Sequence, residues 1–250
     1  MRYFLDIVFN GKNYAGWQAQ LNAVSVQDTL SNALTVALGQ EITLTGAGRT
    51  DAGVHARQMV AHFDGPQDLD NDPSVFISRM HSGLPGDIRI RSVKAVAADA
   101  HARFDASARR YRYFIDRNRS PFMRELSYSY QGKLDIDAMR EATAVLPAFT
   151  DFRCFARSGS DVSNFNCTIM QAEWQDSSHL LVFDITANRF LRNMVRAIVG
   201  TMLDIGRGRM RATDLPELIA SGNRSLAGAS APAQGLFLWE VRYPPEIYIS

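Results

Sequence analysis

Arg2-Tyr3-Phe4-Leu5-Asp6-Ile7-Val8-Phe9 places Tyr3, Leu5, Ile7 and Phe9 on one face and stops at Asn10-Gly11. A period of two in aromatic and branched residues predicts a strand, and Asn-Gly a turn. The period then changes. Ser25 with Asp28 makes a capping box, and Leu30, Ala33, Leu34, Ala37 and Leu38 form a helical stripe ending at Gly39. Residues 42–45 read as a short strand, and 59–63 as another beyond a glycine-rich loop. Asp72-Pro73 opens a second helix through Val75, Phe76, Ile77 and Met80, closed by Gly83, and residues 88–96 supply a fourth strand. The order is β-α-β-β-α-β, the ferredoxin-like pattern also used by RNA-recognition modules.

The second half runs through the same order. Residues 109–115 form a strand with Tyr111 and Tyr113 on one face, and Asp135 caps a helix reaching Leu146. Residues 168–175 and 180–186 read as strands, 190–205 as a strongly amphipathic helix, 213–219 as a lesser one, and 236–241 as the closing strand. The expected class is α+β, with two ferredoxin-like halves, 1–105 and 106–250. The duplication is one of element order, without a useful residue-level repeat.

A chain of 250 residues, 46% hydrophobic and 21% charged, can bury a full core. No apolar run reaches the ~18 residues that span a bilayer. Met1-Arg2-Tyr3-Phe4-Leu5-Asp6 carries an early acid and no signal-peptide core, so a cytoplasmic protein without membrane association is expected. Cys154 and Cys167 have neither metal nor redox spacing. The net charge is only +1, yet just three of the 27 basic residues are lysines, and the arginines cluster at 109/110/112, 189/192/196 and 207/209/211. Arginine's planar fork suits phosphates and base stacking; codon bias explains the bulk composition equally well, so the clustering is the more informative signal.

The most informative stretch is Gly46-Ala47-Gly48-Arg49-Thr50-Asp51-Ala52-Gly53-Val54-His55. Three glycines between two strands specify tight turns. It is no phosphate loop, because no Lys-Ser/Thr follows and the spacing fits neither a P-loop nor a dinucleotide fingerprint. The plain alternative is a strand connection with a solvated Asp. Residues 48–55, however, resemble the signature of the tRNA pseudouridine synthase A family. Further blocks resemble that family in order: Asn22-Ala23-Val24-Ser25-Val26-Gln27, Leu84-Pro85-Gly86-Asp87-Ile88, His101-Ala102-Arg103-Phe104 with Arg110-Tyr111-Arg112-Tyr113, residues 187–196 with Ile198-Val199-Gly200, and Ala231 with Gln234-Gly235-Leu236. The resemblance is weakest over 157–167, where Cys167 replaces a commonly basic residue, and it assigns no RNA contacts there.

The resemblance implies a pseudouridine synthase fold with a mostly antiparallel central sheet and an active-site cleft between the halves. It also implies a homodimer that isomerises uridine at positions 38, 39 and 40 of the tRNA anticodon arm. That reaction breaks C1′–N1, turns the base and joins C1′ to C5, without net redox change or hydrolysis. Neither cofactor nor metal is called for; one ionised carboxylate is. The resemblance makes Asp51 that carboxylate, attacking C1′ or removing a sugar proton, with Arg196 as its ion partner. A carboxylate in a base pocket needs such a cation to stay charged, although Arg196 could also be a surface residue of an amphipathic helix. Tyr111 is expected to stack on the extruded base, with Tyr113 a core aromatic. Arg49 would fill the space left by the flipped nucleotide or bind a phosphate, and Arg110 and Arg192 would meet phosphates. His55 is read as loop scaffold. The rivals are a non-catalytic RNA-binding protein, for which the RNP pattern is missing, and a related synthase acting on other uridines.

Overall fold

The computed structural model describes residues 1–67, 69, 71–157, 159 and 163–249; residues 158 and 160–162, within the weakly matching 157–167 segment, lie outside them. The chain divides into two compact units. One comprises Met1–Ser107 with Leu238–Ser250, the other Ala108–Phe237.

In the first unit the elements are β1 (Arg2–Phe9), α1 (Val26–Leu38), β2 (Thr45–Gly46), β3 (His55–Asp64), α2 (Pro73–Gly83) and β4 (Ile88–Val96). This is the β-α-β-β-α-β element order read from the sequence. β1 lies between β3 and β4 and is antiparallel to both, with Leu5 opposite Ala61 and Val93. β2 pairs antiparallel with β3. Each helix therefore carries the chain across one intervening strand, which reconciles helical crossovers with antiparallel neighbours. Ser25 caps α1 by accepting from the Asp28 N–H at 3.0 Å, and Gly39 closes it at φ +68°. α1 buries Val26, Leu30 and Leu34, and α2 buries Phe76 and Met80.

The expected strand over 42–45 is cut back to Thr45–Gly46. Side chains of α1 take the backbone groups that a longer ladder would have used. Thr35 Oγ1 accepts from the Ile42 N–H at 3.2 Å, and Gln27 Nε2 donates to the Leu44 carbonyl at 2.7 Å.

β1 is also buried beyond its alternating face, for Phe4 is only 3% exposed. Tyr243 and Tyr248 pack on its ring, with centroids 4.9 and 6.2 Å away. The C-terminal tail, expected from chain order to travel with the second half, thus belongs to the first unit from Leu238 onward. Gln58 Oε1 accepts from the Val241 N–H at 3.0 Å, and the Tyr243 hydroxyl donates to the Ala102 carbonyl at 2.5 Å.

The second unit contains β5 (Ala108–Asp116), β6 (Tyr128–Ser129), α3 (Ile136–Ala144), β7 (Ile169–Asp176), β8 (Leu180–Ala187), α4 (Met194–Gly206) and α5 (Leu215–Ser221), and leads into β9 (Leu236–Arg242). β8 lies between β5 and β7, antiparallel to both, and the short β6 runs parallel to β5. Trp174 of β7 donates to Thr143 Oγ1 of α3 at 2.9 Å, a buried bond that ties helix to sheet. The chain is α+β with mostly antiparallel strand pairing.

Two expectations about α4 change. The helix begins at Met194, not at 190, because Asn193 sits in the left-handed region at φ +66° and its amide donates to Ser230 Oγ at 2.6 Å. Asparagine tolerates that conformation where most side chains do not. Nor is the helix amphipathic in use: of its 13 residues only Arg196 and Asp204 escape burial. α3 packs on it, and at Gly200 an added Cβ would stand 1.8 Å from the Ala229 carbonyl oxygen. That close approach lets residues 228–231 cover a face that would otherwise be wet.

Candidate active site

The 46–55 loop is held from both ends and from behind. Gly46 pairs opposite Ala61, and the Ala47 N–H donates to the Val60 carbonyl at 2.7 Å. Behind the loop runs Gly11–Trp17, a segment the sequence reading did not single out. The Trp17 N–H donates to the Thr50 carbonyl at 3.3 Å, and the Gly53 N–H donates to the Tyr14 carbonyl at 3.3 Å. Gly16 is at φ +99°, and a Cβ on it would stand 2.3 Å from the Thr50 oxygen. A Cβ on Gly11 would meet the Val54 oxygen at 1.9 Å, and one on Gly46 the Trp17 indole at 2.5 Å. The first two are backbone-on-backbone contacts and the third sets backbone against a buried indole; all three are approaches that only glycine permits. Trp17 itself is 1% exposed. Its burial contributes on the order of 2–3 kcal/mol to holding the wall in place.

On this frame the Asp51 side chain is half-buried, at a turn closed by the Val54 N–H donating to the Asp51 carbonyl at 3.1 Å. His55 is buried and accepts at Nδ1 from the Gly11 N–H at 3.1 Å, the scaffold role. Arg49 is exposed and donates from Nε to Gln18 Oε1 at 3.1 Å. Tyr14 anchors the wall at its far end by donating to Asp87 Oδ1 at 2.6 Å. Burial, reinforced by that carboxylate, pushes its phenol well above the usual range.

The other candidate residues lie in the second unit. Tyr111, on β5 opposite Ile185, is half-buried and meets Phe190 edge-on, with centroids 5.1 Å apart and planes at 87°. Tyr113, two residues on, is fully buried; its hydroxyl donates to the Pro232 carbonyl at 2.9 Å. Its phenol is pushed far above the ordinary value by burial, with the nearby Arg196 cation opposing. Arg196 is half-buried, and its Nε donates to the Ala231 carbonyl at 2.7 Å while the Ala231 N–H donates to the Arg196 carbonyl at 2.9 Å. The 231–235 block thus has a visible purpose: it pins Arg196 and, at Gly235, lies directly on the Tyr113 ring.

Strand alternation places Arg110 on the face opposite Tyr111. There it forks onto Asp184, at 2.8 and 2.6 Å, and Arg112 joins the same carboxylate at 2.7 Å. Asp184 is only 1% exposed, so this is a buried charge compensated twice. Arg192 is exposed in the turn before α4. Cys154 and Cys167 are free and buried, and burial pushes their thiols up to about 12 and about 11, leaving them inert. Among the described residues no group of three or more His, Cys, Asp or Glu is placed to hold a metal ion. No helix there is long and apolar enough to cross a membrane.

Comparison with known proteins bears directly on this arrangement. A family model described as tRNA pseudouridine synthase matches residues 149–244. The tRNA pseudouridine synthase A of Porphyromonas gingivalis is 46% identical over 250 residues, covering 99% of both chains. Those of Parabacteroides distasonis and Bacteroides fragilis are 43% and 46% identical, covering 99% of this chain and 98% of theirs. The chain belongs to the tRNA pseudouridine synthase A family. It is accordingly an isomerase.

In this synthase the Gly11–Trp17 wall holds the backbone of the signature loop in place. A signal for it existed in the Gly16-Trp17 dipeptide. Its partner, however, lies over 30 positions away in sequence, and only folding brings the two together. The double neutralisation of Asp184 was invisible for the same reason, since β5 and β8 are far apart in the chain.

Proposed function

We propose that this synthase isomerises uridine to pseudouridine at positions 38, 39 and 40 of the tRNA anticodon stem-loop, with Asp51 as its catalytic carboxylate and without a cofactor. The observation that carries this is the clamped Thr50–Asp51 backbone. Gly16 and Trp17 fix the peptide, so a half-buried acid stands on rigid support. Preorganisation of that kind is what a positioned nucleophile requires.

The reaction balances without an external reagent. C1′–N1 breaks, the base turns, C1′–C5 forms, and the proton leaving C5 goes to solvent while N1 regains one. Asp51 supplies the negative oxygen, either bonding to C1′ or taking a proton from the sugar. By family resemblance Arg196 holds Asp51 ionised, Tyr111 stacks on the extruded base, and Arg49 supports the displaced nucleotide. By the same resemblance Arg192 and Arg110 would meet phosphates, Arg110 with part of its fork committed to Asp184. A cytoplasmic homodimer is part of the same proposal.

The test is release of tritium from tRNA labelled at uracil C5, followed by mapping of the modified positions. Asp51→Asn preserves size and removes charge. Turnover should vanish while tRNA affinity and thermal stability stay near wild type. Substantial release by the purified variant would sink the assignment, and modification confined to other uridines would move the substrate site.

A further inference from the structure

We propose that Leu21 is an apolar wedge that enters the RNA base stack beside the target uridine and holds it open while the base is in the site. Its role presupposes the uridine isomerisation assigned to Asp51 above.

Leu21 is 103% exposed, the most exposed large hydrophobic side chain among the described residues. Single exposed apolar residues are ordinary on protein surfaces. The setting of this one is not ordinary. Leu21 and Asn22 form the tip of a turn closed by an antiparallel bridge between Gln20 and Ala23. The base of that turn is braced on three sides. Gln20 Nε2 donates to the Ala15 carbonyl at 2.9 Å, the Ala15 N–H donates to the Val24 carbonyl at 2.9 Å, and the Ala19 N–H donates to Gln27 Oε1 at 2.9 Å. A leucine is thus fixed in water on a stiff support when a lax loop could have folded it away.

The support leads straight to the candidate catalytic loop. Gln18, three residues before Leu21, accepts from Arg49 Nε at 3.1 Å, and Gly16 and Trp17 press on Thr50. A uridine in a stem must leave its stack before its glycosidic bond can be reached. Apolar side chains that insert between base steps are a recurrent means of stabilising such an opening. One side chain at a tip suffices for a wedge. A protein interface would need a patch of roughly 800 Å² on this side, whereas among the large apolar residues near this turn only Val24, at 65% exposure, accompanies Leu21, with the small Ala19 and Ala23 beside them. The neighbours Gln18, Gln20, Asn22 and Arg49 are polar donors suited to riboses and phosphates.

The test compares two anticodon-arm RNAs, one with the target uridine paired and one with it mismatched, by tritium release. On the paired RNA, Leu21→Ala should lower kcat by about tenfold with little change in KM, because unstacking is least favoured there. On the mismatched RNA it should stay within about twofold of wild type, since the opening is already made. Leu21→Met should restore the paired rate, and Val36→Ala, an exposed valine on α1, should behave as wild type throughout. A second readout uses 2-aminopurine beside the target in an Asp51→Asn background. Its fluorescence should rise on binding and fail to rise when Leu21→Ala is added. Equal rates for Leu21→Ala and wild type on the paired RNA, or an equal slowing on both RNAs, would overturn the wedge while leaving Asp51 untouched. Wild-type protein inactive on both RNAs would overturn the wedge together with the anticodon-arm assignment beneath it.

Discussion

Gly16 lies against the carbonyl of Thr50 so closely that a Cβ on it would stand 2.3 Å from the oxygen, with 3.1 Å to the carbonyl carbon of Asp51. Its φ of +99° is itself a conformation that side-chain-bearing residues rarely adopt. The peptide that presents Asp51 is therefore seated on a position where only glycine fits. Gly16→Ala should cost at least about 2 kcal/mol of stability, from combined strain and clash. It should also lower kcat well beyond what partial unfolding accounts for, because the Asp51 peptide must shift. Urea unfolding alongside single-turnover rates at a temperature where the variant is folded checks both. Wild-type kcat in folded Gly16→Ala would show that the carboxylate's position tolerates such a shift.

Arg196 is held by its Nε on the Ala231 carbonyl at 2.7 Å. Lysine keeps the charge but has neither the planar fork nor a donor at that point. Arg196→Lys should reduce kcat by about a hundredfold, with KM changed by less than about threefold, the pattern of an interaction used in the transition state. Melting curves should show only a modest loss. Wild-type kcat in both Arg196→Lys and Arg196→Ala would leave this residue a purely structural tether of the 228–231 segment.

Arg110 and Arg192 carry the same formal charge and should fail differently. Removing Arg110 leaves the buried Asp184 with Arg112 alone, so Arg110→Ala should lose about 2 kcal/mol of stability. Arg192 is exposed, and Arg192→Ala should leave stability unchanged. If Arg192 meets one phosphate, its loss should reduce the log–log salt slope of tRNA affinity by about one unit. Titrations across a salt series, with melting curves for both variants, separate the two. A wild-type affinity independent of salt would contradict phosphate binding by either.

His62 is buried, accepts at Nδ1 from the Ala102 N–H at 3.1 Å, and stacks edge-on with His101 at 4.6 Å. Burial, together with the nearby His101 and the Arg2 cation, lowers its pKa from 6.5 to about 4. The folded protein thus prefers the neutral ring, and the unfolded chain takes up a proton first as pH falls. Stability from this group is complete above pH 6.5 and drains between 6.5 and about 4, by at most about 3 kcal/mol. The Asp64 carboxyl, held below its ordinary value by Arg2, contributes only in a lower window. Denaturant unfolding from pH 7 to 4.5 should show the decline, and His62→Gln should flatten it. An identical slope in the variant would assign the titration elsewhere.

The nearest-neighbour features of this protein were legible in its sequence, and the reason is locality. The strand at Arg2–Phe9, the Ser25 cap with its Gly39 stop and the Asp72-Pro73 helix start depend on residues within a few positions of one another. The same holds for the Asp51 loop, whose glycines and acid are contiguous. What folding alone decided were relationships between distant segments. The tail took the far face of β1 because Tyr243 and Tyr248 cover Phe4. Side chains of α1 shortened β2 by claiming its backbone partners. An apparently amphipathic helix became almost wholly buried when Gly200 admitted residues 228–231. Arg110 and Arg112, of one basic cluster in the sequence, found Asp184 across a strand pair. Periodicity states which face of an element is apolar, but not what will cover it, and a charge in the sequence does not name its counter-ion. Both depend on contacts made between parts of the chain that meet only after it has folded.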